Sequence, residues 1–121
     1  MPPPVSRWKP RGVYIGEFKC TGYNNVPEQC DDSPDITASG RRITMGYSIA
    51  LDPVYWRQAV REGWKFYIEG IGVVRADDTG SKVLGKFRCD VAVATRKQAR
   101  AITGKRKVWL LEKTQSIRHP K

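Results

Sequence analysis

The chain has 121 residues, 40% of them hydrophobic, and a formal net charge of +10. This suits one packed core, and no run approaches the roughly 18–20 apolar residues of a membrane span, so stable membrane insertion is not expected. The charge points to a polyanionic partner, because long-range attraction speeds encounters with acidic surfaces; nucleic acid, anionic membrane and a carboxylate-rich bacterial wall all qualify.

Residues 1–12 are Pro-rich and basic and read as an N-terminal arm. They lack the apolar core of a secretory signal, so the protein is expected to be made without one or to be a mature form with a new Met. Val13 to Tyr23 reads as a strand, with Tyr14, Phe18 and Cys20 on one parity. Residues 24–42 form a polar loop long enough to suggest function. Ile43 to Leu51 offers a second strand, interrupted at Gly46. Asp52-Pro53 reads as an acidic N-cap before a first-position Pro, opening a helix to about Arg61 that ends before Gly63. Lys65 to Ala76 is β-like, with a turn or bulge at Gly70 and Gly72. Asp77 to Ser81 reads as a turn, Gly85 as another, and Lys86 to Ala94 as a strand. Thr95 and Gln98 make a capping box for a second short helix closed by Gly104, and Val108 to Leu111 is the last strand. Strands with two inserted helices, and eleven Gly with eight Pro, indicate a mainly β barrel over residues 13–113, with a basic tail at 114–121.

Cys20, Cys30 and Cys89 form no CxxC pair and the single His119 is in the tail, so neither a metal site nor a cofactor is expected. Cys20 and Cys30 could be joined in an oxidising compartment; alternatively, all three thiols are small half-buried apolar groups. Trp56, Trp64 and Trp109 read as core or barrel-edge aromatics, whereas Trp8 and Tyr23 lie near loops and could stack on a ligand. Arg96, Lys97, Arg100, Lys105, Arg106 and Lys107 read as a solvated basic face that also draws in an anionic partner.

Most acidic residues fall in turns or at element ends, but Asp90 lies within a strand pattern, Phe87-Arg88-Cys89-Asp90-Val91-Ala92-Val93. A carboxylate there either faces solvent or sits in a cleft with a shifted pKa. Alternation puts it on a face with Ala92 and Ala94, whose small side chains leave room for a ligand.

Thr37-Ala38-Ser39-Gly40, Leu51-Asp52-Pro53, Asp78-Thr79-Gly80 and Cys89-Asp90-Val91 resemble, in order, the motifs of the three-aspartate (3D) domain. Tyr67-Ile68-Glu69-Gly70-Ile71-Gly72 likewise resembles that family's Tyr-Val-Glu-Gly-Tyr-Gly, and the likeness runs from about Thr21 to Gly104. The family occurs in membrane-bound lytic transglycosylase A and stationary-phase survival muralytic proteins. The resemblance implies a six-stranded double-psi β-barrel with two short helices that cleaves the β-1,4 bond after N-acetylmuramic acid and leaves a 1,6-anhydro end. It implies Asp90 as the acid/base. Asp78 and Asp52 would line or brace the cleft, with Thr37, Ser39, Arg42, Thr79 and Tyr23 about the substrate. Ser81, the long Asp52-to-Asp78 gap and Ala92 depart from the family pattern and bear on substrate fit.

One carboxyl group suffices for such chemistry when the sugar's own 6-hydroxyl attacks the anomeric carbon, provided its pKa is raised by like-charge repulsion from nearby Asp78, aided by burial in the cleft. The expected partner is therefore the peptidoglycan glycan strand, met by a monomer in the cell wall or periplasm, as with a phage-type endolysin. The rival readings are a noncatalytic wall-binding barrel and a nucleic-acid module. No basic–aromatic interleaving favours the last, and three acidic motifs would repel phosphate.

Overall fold

The computed structural model describes residues 12–24, 39–80, 83 and 85–113. Thr37, Cys30, Trp8, Ser81 and His119, with the readings attached to them, lie outside these residues, as do residues 1–11 of the arm and the tail at 114–121.

Six strands close into a barrel in the order β1-β5-β2-β4-β3-β6: β1 Val13–Tyr23, β2 Ser48–Leu51, β3 Lys65–Ile68, β4 Gly72–Thr79, β5 Arg88–Ala92 and β6 Gly104–Glu112. Two helices are inserted, α1 at Arg57–Glu62 and α2 at Arg96–Ile102. The β1–β5 and β2–β4 contacts are parallel and the others antiparallel. The expected six-stranded barrel with two short helices is therefore observed. Closure removes the free strand edges that would invite pairing with another chain. Phe18, Ile49, Leu51, Phe66, Ile68, Val74, Val91 and Val108 fill the interior. On β5 the alternation holds, with Cys89 and Val91 buried in that core and Asp90 turned away from it.

Several expected boundaries move. Thr44–Tyr47 is a turn, closed by bonds from the Tyr47 and Ser48 amides to the Thr44 carbonyl at 3.0 and 2.8 Å, so β2 starts only at Ser48. Helix α1 starts four residues later than Pro53 because Asp52 Oδ1 accepts from the Val54 and Tyr55 amides at 2.7 and 2.8 Å, winding 53–56 into a turn first. Gly63 ends that helix in the left-handed region, φ 70°, where a side chain would be strained. The Thr95/Gln98 capping box is present, but Thr103 rather than Gly104 closes α2, and Gly104 already opens β6. Asp77–Thr79 is not a turn but the end of β4.

Arg106, in the basic set, is partly buried. Its guanidinium donates to the carbonyls of Ile102, Ala101 and Glu69 at 2.9, 3.3 and 3.0 Å, pinning the exit of α2 to the β3–β4 turn. Cys20 is buried with its Sγ 3.3 Å from that of Cys89 across the β1–β5 seam, both as free thiols. Trp56 packs edge-on to Phe66, and Trp109 lies between Tyr14 and Tyr67.

Helix α2 lies against β1 at Gly22, where a Cβ would sit 2.7 Å from the Ala99 Cα. Gly22→Val is therefore expected to destabilise by about 1–3 kcal/mol through overpacking. Urea titration should show a lower midpoint at unchanged slope; an unmoved midpoint would mean that the contact bears no strain.

Candidate active site

The sheet register lines up the residues that carry the chemistry. Thr21 of β1 pairs with Asp90 of β5, Asp90 with Ala50 of β2, and Ala50 with Asp78 of β4. These four residues form one row across four adjacent strands. The row lies on the side of the wall facing away from the core. Tyr23, Ala50, Asp78, Thr79, Gly80, Val83 and Asp90 line a cleft there of about 260 Å³. The room opposite Asp90 comes from the cross-strand Ala50; Ala92 and Ala94, expected to provide it, are not in the lining.

A β-bulge directs Asp78 into this cleft. Ile49 pairs with Ala76 but Ala50 with Asp78, so Asp77 is one extra residue in β4. Regular alternation from the buried Val74 and Ala76 would send Asp78 toward the core. The extra residue turns it out instead. Asp77 itself is fully buried, accepting from Arg41 Nε at 2.7 Å, Arg75 Nε and Nη2 at 2.6 and 2.9 Å, and Ser48 Oγ at 2.6 Å. Burial pushes its carboxyl pKa up, but the bonds from Arg75, Arg41 and Ser48 outweigh that and hold it below the usual range. Arg41 also donates to the carbonyls of Val60 and Ala76, so one guanidinium ties the 39–42 segment to α1 and β4.

The acids of the site are unequal. Asp90 is half-buried and accepts from Thr21 Oγ1 at 2.8 Å. Burial raises its pKa, against the opposing pull of the Thr21 bond and the Arg88 charge. The expectation gave Asp78 a leading part in that shift. With Ala50 between them, the Cα atoms of Asp78 and Asp90 are two strand spacings apart, about 10 Å, and desolvation rather than Asp78 raises the Asp90 pKa. Asp78 Oδ1 accepts from the Thr79 amide at 2.9 Å. Asp52 is buried outside the cleft lining. Its carboxylate binds the amides of Gly85 (2.6 Å, through Oδ2), Tyr55 and Val54, which hold its pKa down, and it joins the start of α1 to the loop before β5.

Tyr23 brings a hydroxyl that is buried and without a hydrogen-bond partner among the described residues. Burial, then the charges of Asp78, Asp90 and Asp77, push its pKa up, so it stays a donor. Ser39 lies outside this cleft, in a neighbouring groove that Thr79 also lines. Arg42 is exposed and lines neither; its neighbour Arg41 reaches the buried Asp77 instead. Nothing local in Arg41-Arg42 says which turns inward. Among the described residues no cluster of His, Cys, Asp and Glu could hold a metal ion, and no helix is long and apolar enough to cross a membrane.

The family described as the 3D domain matches residues 47–112. No curated protein matches the chain. Among solved structures it is similar to a lytic transglycosylase, LtgG, of Burkholderia pseudomallei, with a TM-score of 0.46 and 19% identity. That likeness covers 68% of this chain but only 27% of the other.

Two stability effects of opposite sign are expected. Asp77→Asn leaves two guanidiniums short of their counter-charge and should lose about 3–5 kcal/mol. The wild-type contribution of Asp77, whose pKa is depressed on folding, is present above the unfolded value of about 3.9 and is lost as pH falls through the folded one. Asp90 behaves inversely: its raised pKa means that stability is lost as pH rises from about 3.9 through the folded value. Asp90→Asn should therefore melt above wild type at pH 7, the gap closing below about pH 3.9. Thermal melts across pH test both, and a lower-melting Asp90→Asn at neutral pH would contradict the second.

Proposed function

The chain belongs to the 3D-domain family, and on that footing we propose that it is a peptidoglycan lytic transglycosylase with Asp90 as its acid/base. The observation that carries the reading is the half-buried Asp90 carboxyl, its pKa raised by desolvation, in a cleft with an unpartnered Tyr23 hydroxyl. Desolvation brings the protonated, proton-donating form within easier reach than it is for a solvent-facing strand carboxylate.

In the proposed reaction, protonated Asp90 gives its proton to the oxygen between N-acetylmuramic acid and N-acetylglucosamine. The bond from the anomeric carbon to that oxygen breaks, and its electron pair stays with the leaving sugar. The muramic 6-hydroxyl then bonds to the anomeric carbon, and the Asp90 carboxylate takes up the hydroxyl proton. A 1,6-anhydro ring forms, no water is consumed and Asp90 is restored. Thr21 holds the carboxyl in place through its 2.8 Å bond. Tyr23 offers its O–H to a sugar or leaving oxygen, and the carboxylate of Asp78, in the same cleft, would favour positive charge developing on a ring bound there. Hydrolytic glycosidases need two carboxyls, one on either side of the bond; intramolecular attack lets one group serve in turn as acid and base. The site of action on this reading is the cell wall or periplasm.

Digestion of purified sacculi with mass spectrometry of the released fragments tests the proposal. Wild type should release anhydro-muropeptides, and Asp90→Asn should lower the rate by about 10²–10⁴-fold. Activity should fall as pH rises through the Asp90 pKa. Thr21→Val removes a bond that favours the charged form and should move that alkaline limb to higher pH. Binding to the wall without release of any fragment would favour the noncatalytic barrel, and reducing ends without an anhydro ring would indicate a hydrolase.

A further inference from the structure

Beside the Asp90 cleft runs a groove of about 390 Å³, lined by Ser39, Pro53, Arg57, Val60, Arg61 and Thr79. Thr79 lines both, so the two adjoin at that residue. Arg57 and Arg61 are four residues apart on α1, and side chains at that spacing leave the same helix face. Both are exposed, while Ala59 and Val60 turn to the core.

The groove's lining holds two guanidiniums and two hydroxyls and no carboxylate. Of the acids near it in the chain, Asp78 lines the adjoining cleft, and the others are engaged elsewhere. Glu62 accepts from Gln58 and from Trp64 Nε1, and reaches Arg61 only at 3.9 Å. Both oxygens of Asp52 hold backbone amides, and Asp77 is enclosed by Arg41, Arg75 and Ser48. A guanidinium pair so placed fits a carboxylate, which its planar fork can meet with two parallel bonds. Pro53 and Val60 add a short apolar wall, suited to a methyl-sized side chain.

Resting on the glycan-cleaving reading above, we propose that this groove is a subsite for the peptide stem that N-acetylmuramic acid carries, with Arg57 and Arg61 binding a stem carboxylate. The sugar backbone offers only neutral hydroxyls and acetamides, whereas the stem branches off beside the scissile bond and carries alanyl methyls and free carboxylates. Sugar in the Asp90 cleft and stem in the arginine groove meet at Thr79. The subsite would make the protein read peptide-bearing muramic acid rather than bare glycan.

The test is binding that needs no turnover. Muramyl-alanyl-glutamate and its fully amidated counterpart would be titrated into the whole chain by NMR. Wild type should bind the acid form about tenfold or more tightly, as for a charge-assisted pair, with shifts at Thr79 and α1. Arg57→Gln/Arg61→Gln should erase that preference, and Arg57→Lys/Arg61→Lys, which keeps charge but not the fork, should retain part of it. Equal binding of both compounds by wild type, or a preference that survives the glutamine pair, would overturn the subsite. On sacculi, the glutamine pair should raise KM more on peptide-bearing glycan than on amidase-stripped glycan; an equal rise on both would also count against it. A wild type that releases no anhydro-muropeptides but prefers the acid form would sink the catalytic reading and leave the subsite standing; fragment release without that preference would do the reverse.

Discussion

The buried carboxylate of Asp77 is the constraint on which the site depends. A lone charge with no solvent contact would be prohibitive, and Arg41, Arg75 and Ser48 make it tolerable by supplying four hydrogen bonds from three directions. Those bonds also fix a bulge that would otherwise be free to slip. Register in a sheet is set to one residue, and a one-residue slip exchanges the two faces of a strand. With the bulge at Asp77 in place, Asp78 points to the cleft and Thr79 lies between cleft and groove. Arg41 carries the same anchor outward to α1, so the helix bearing Arg57 and Arg61 is referred to the same point.

Around that anchor four aspartates take four different tasks. Asp77 is ionised and structural, and Asp52 holds three backbone amides between the α1 turn and the loop before β5. Asp78 lies at one end of the cross-strand row. Asp90, with a single hydrogen bond, from Thr21, among the described residues and much of its hydration removed, is the one whose protonation burial shifts upward. Environment rather than residue type divides the labour, as expected when identical groups meet different solvation and partners. The protein tolerates a carboxyl in an unfavourable setting at Asp90, and the proposed acid/base role would account for that cost.

How much of this was legible in the sequence follows from which forces are local. The bounds of β1 and the Thr95/Gln98 capping box rest on alternation and on a four-residue hydrogen-bond pattern, and both were readable. The in-strand position of Asp90 was readable by parity as well. The bulge was not, because Asp77-Asp78-Thr79-Gly80 has the composition of a turn and only the partner strand β2 shows where pairing skips. Arg41 could not be told from Arg42 without knowing that a buried acid waited 36 residues on. Ala50 is illegible for the same reason: its place opposite Asp90 is a fact of register between distant strands. The late start of α1 reflects Asp52 binding two successive amides, a choice that the Asp-Pro signal leaves open.

The row from Thr21 through Asp90 and Ala50 to Asp78 has a temporal meaning as well as a spatial one. Its first bond joins residues 69 apart in the chain, and the β1–β5 pairing that carries it needs almost the whole domain to have emerged. Contacts of that separation form late, after the loop-closure entropy has been overcome. A nascent or half-folded chain would own every residue of the cleft and none of its geometry. Latency is thus built into the topology, and a wall-degrading activity of the kind proposed would switch on only once β1 and β5 have paired.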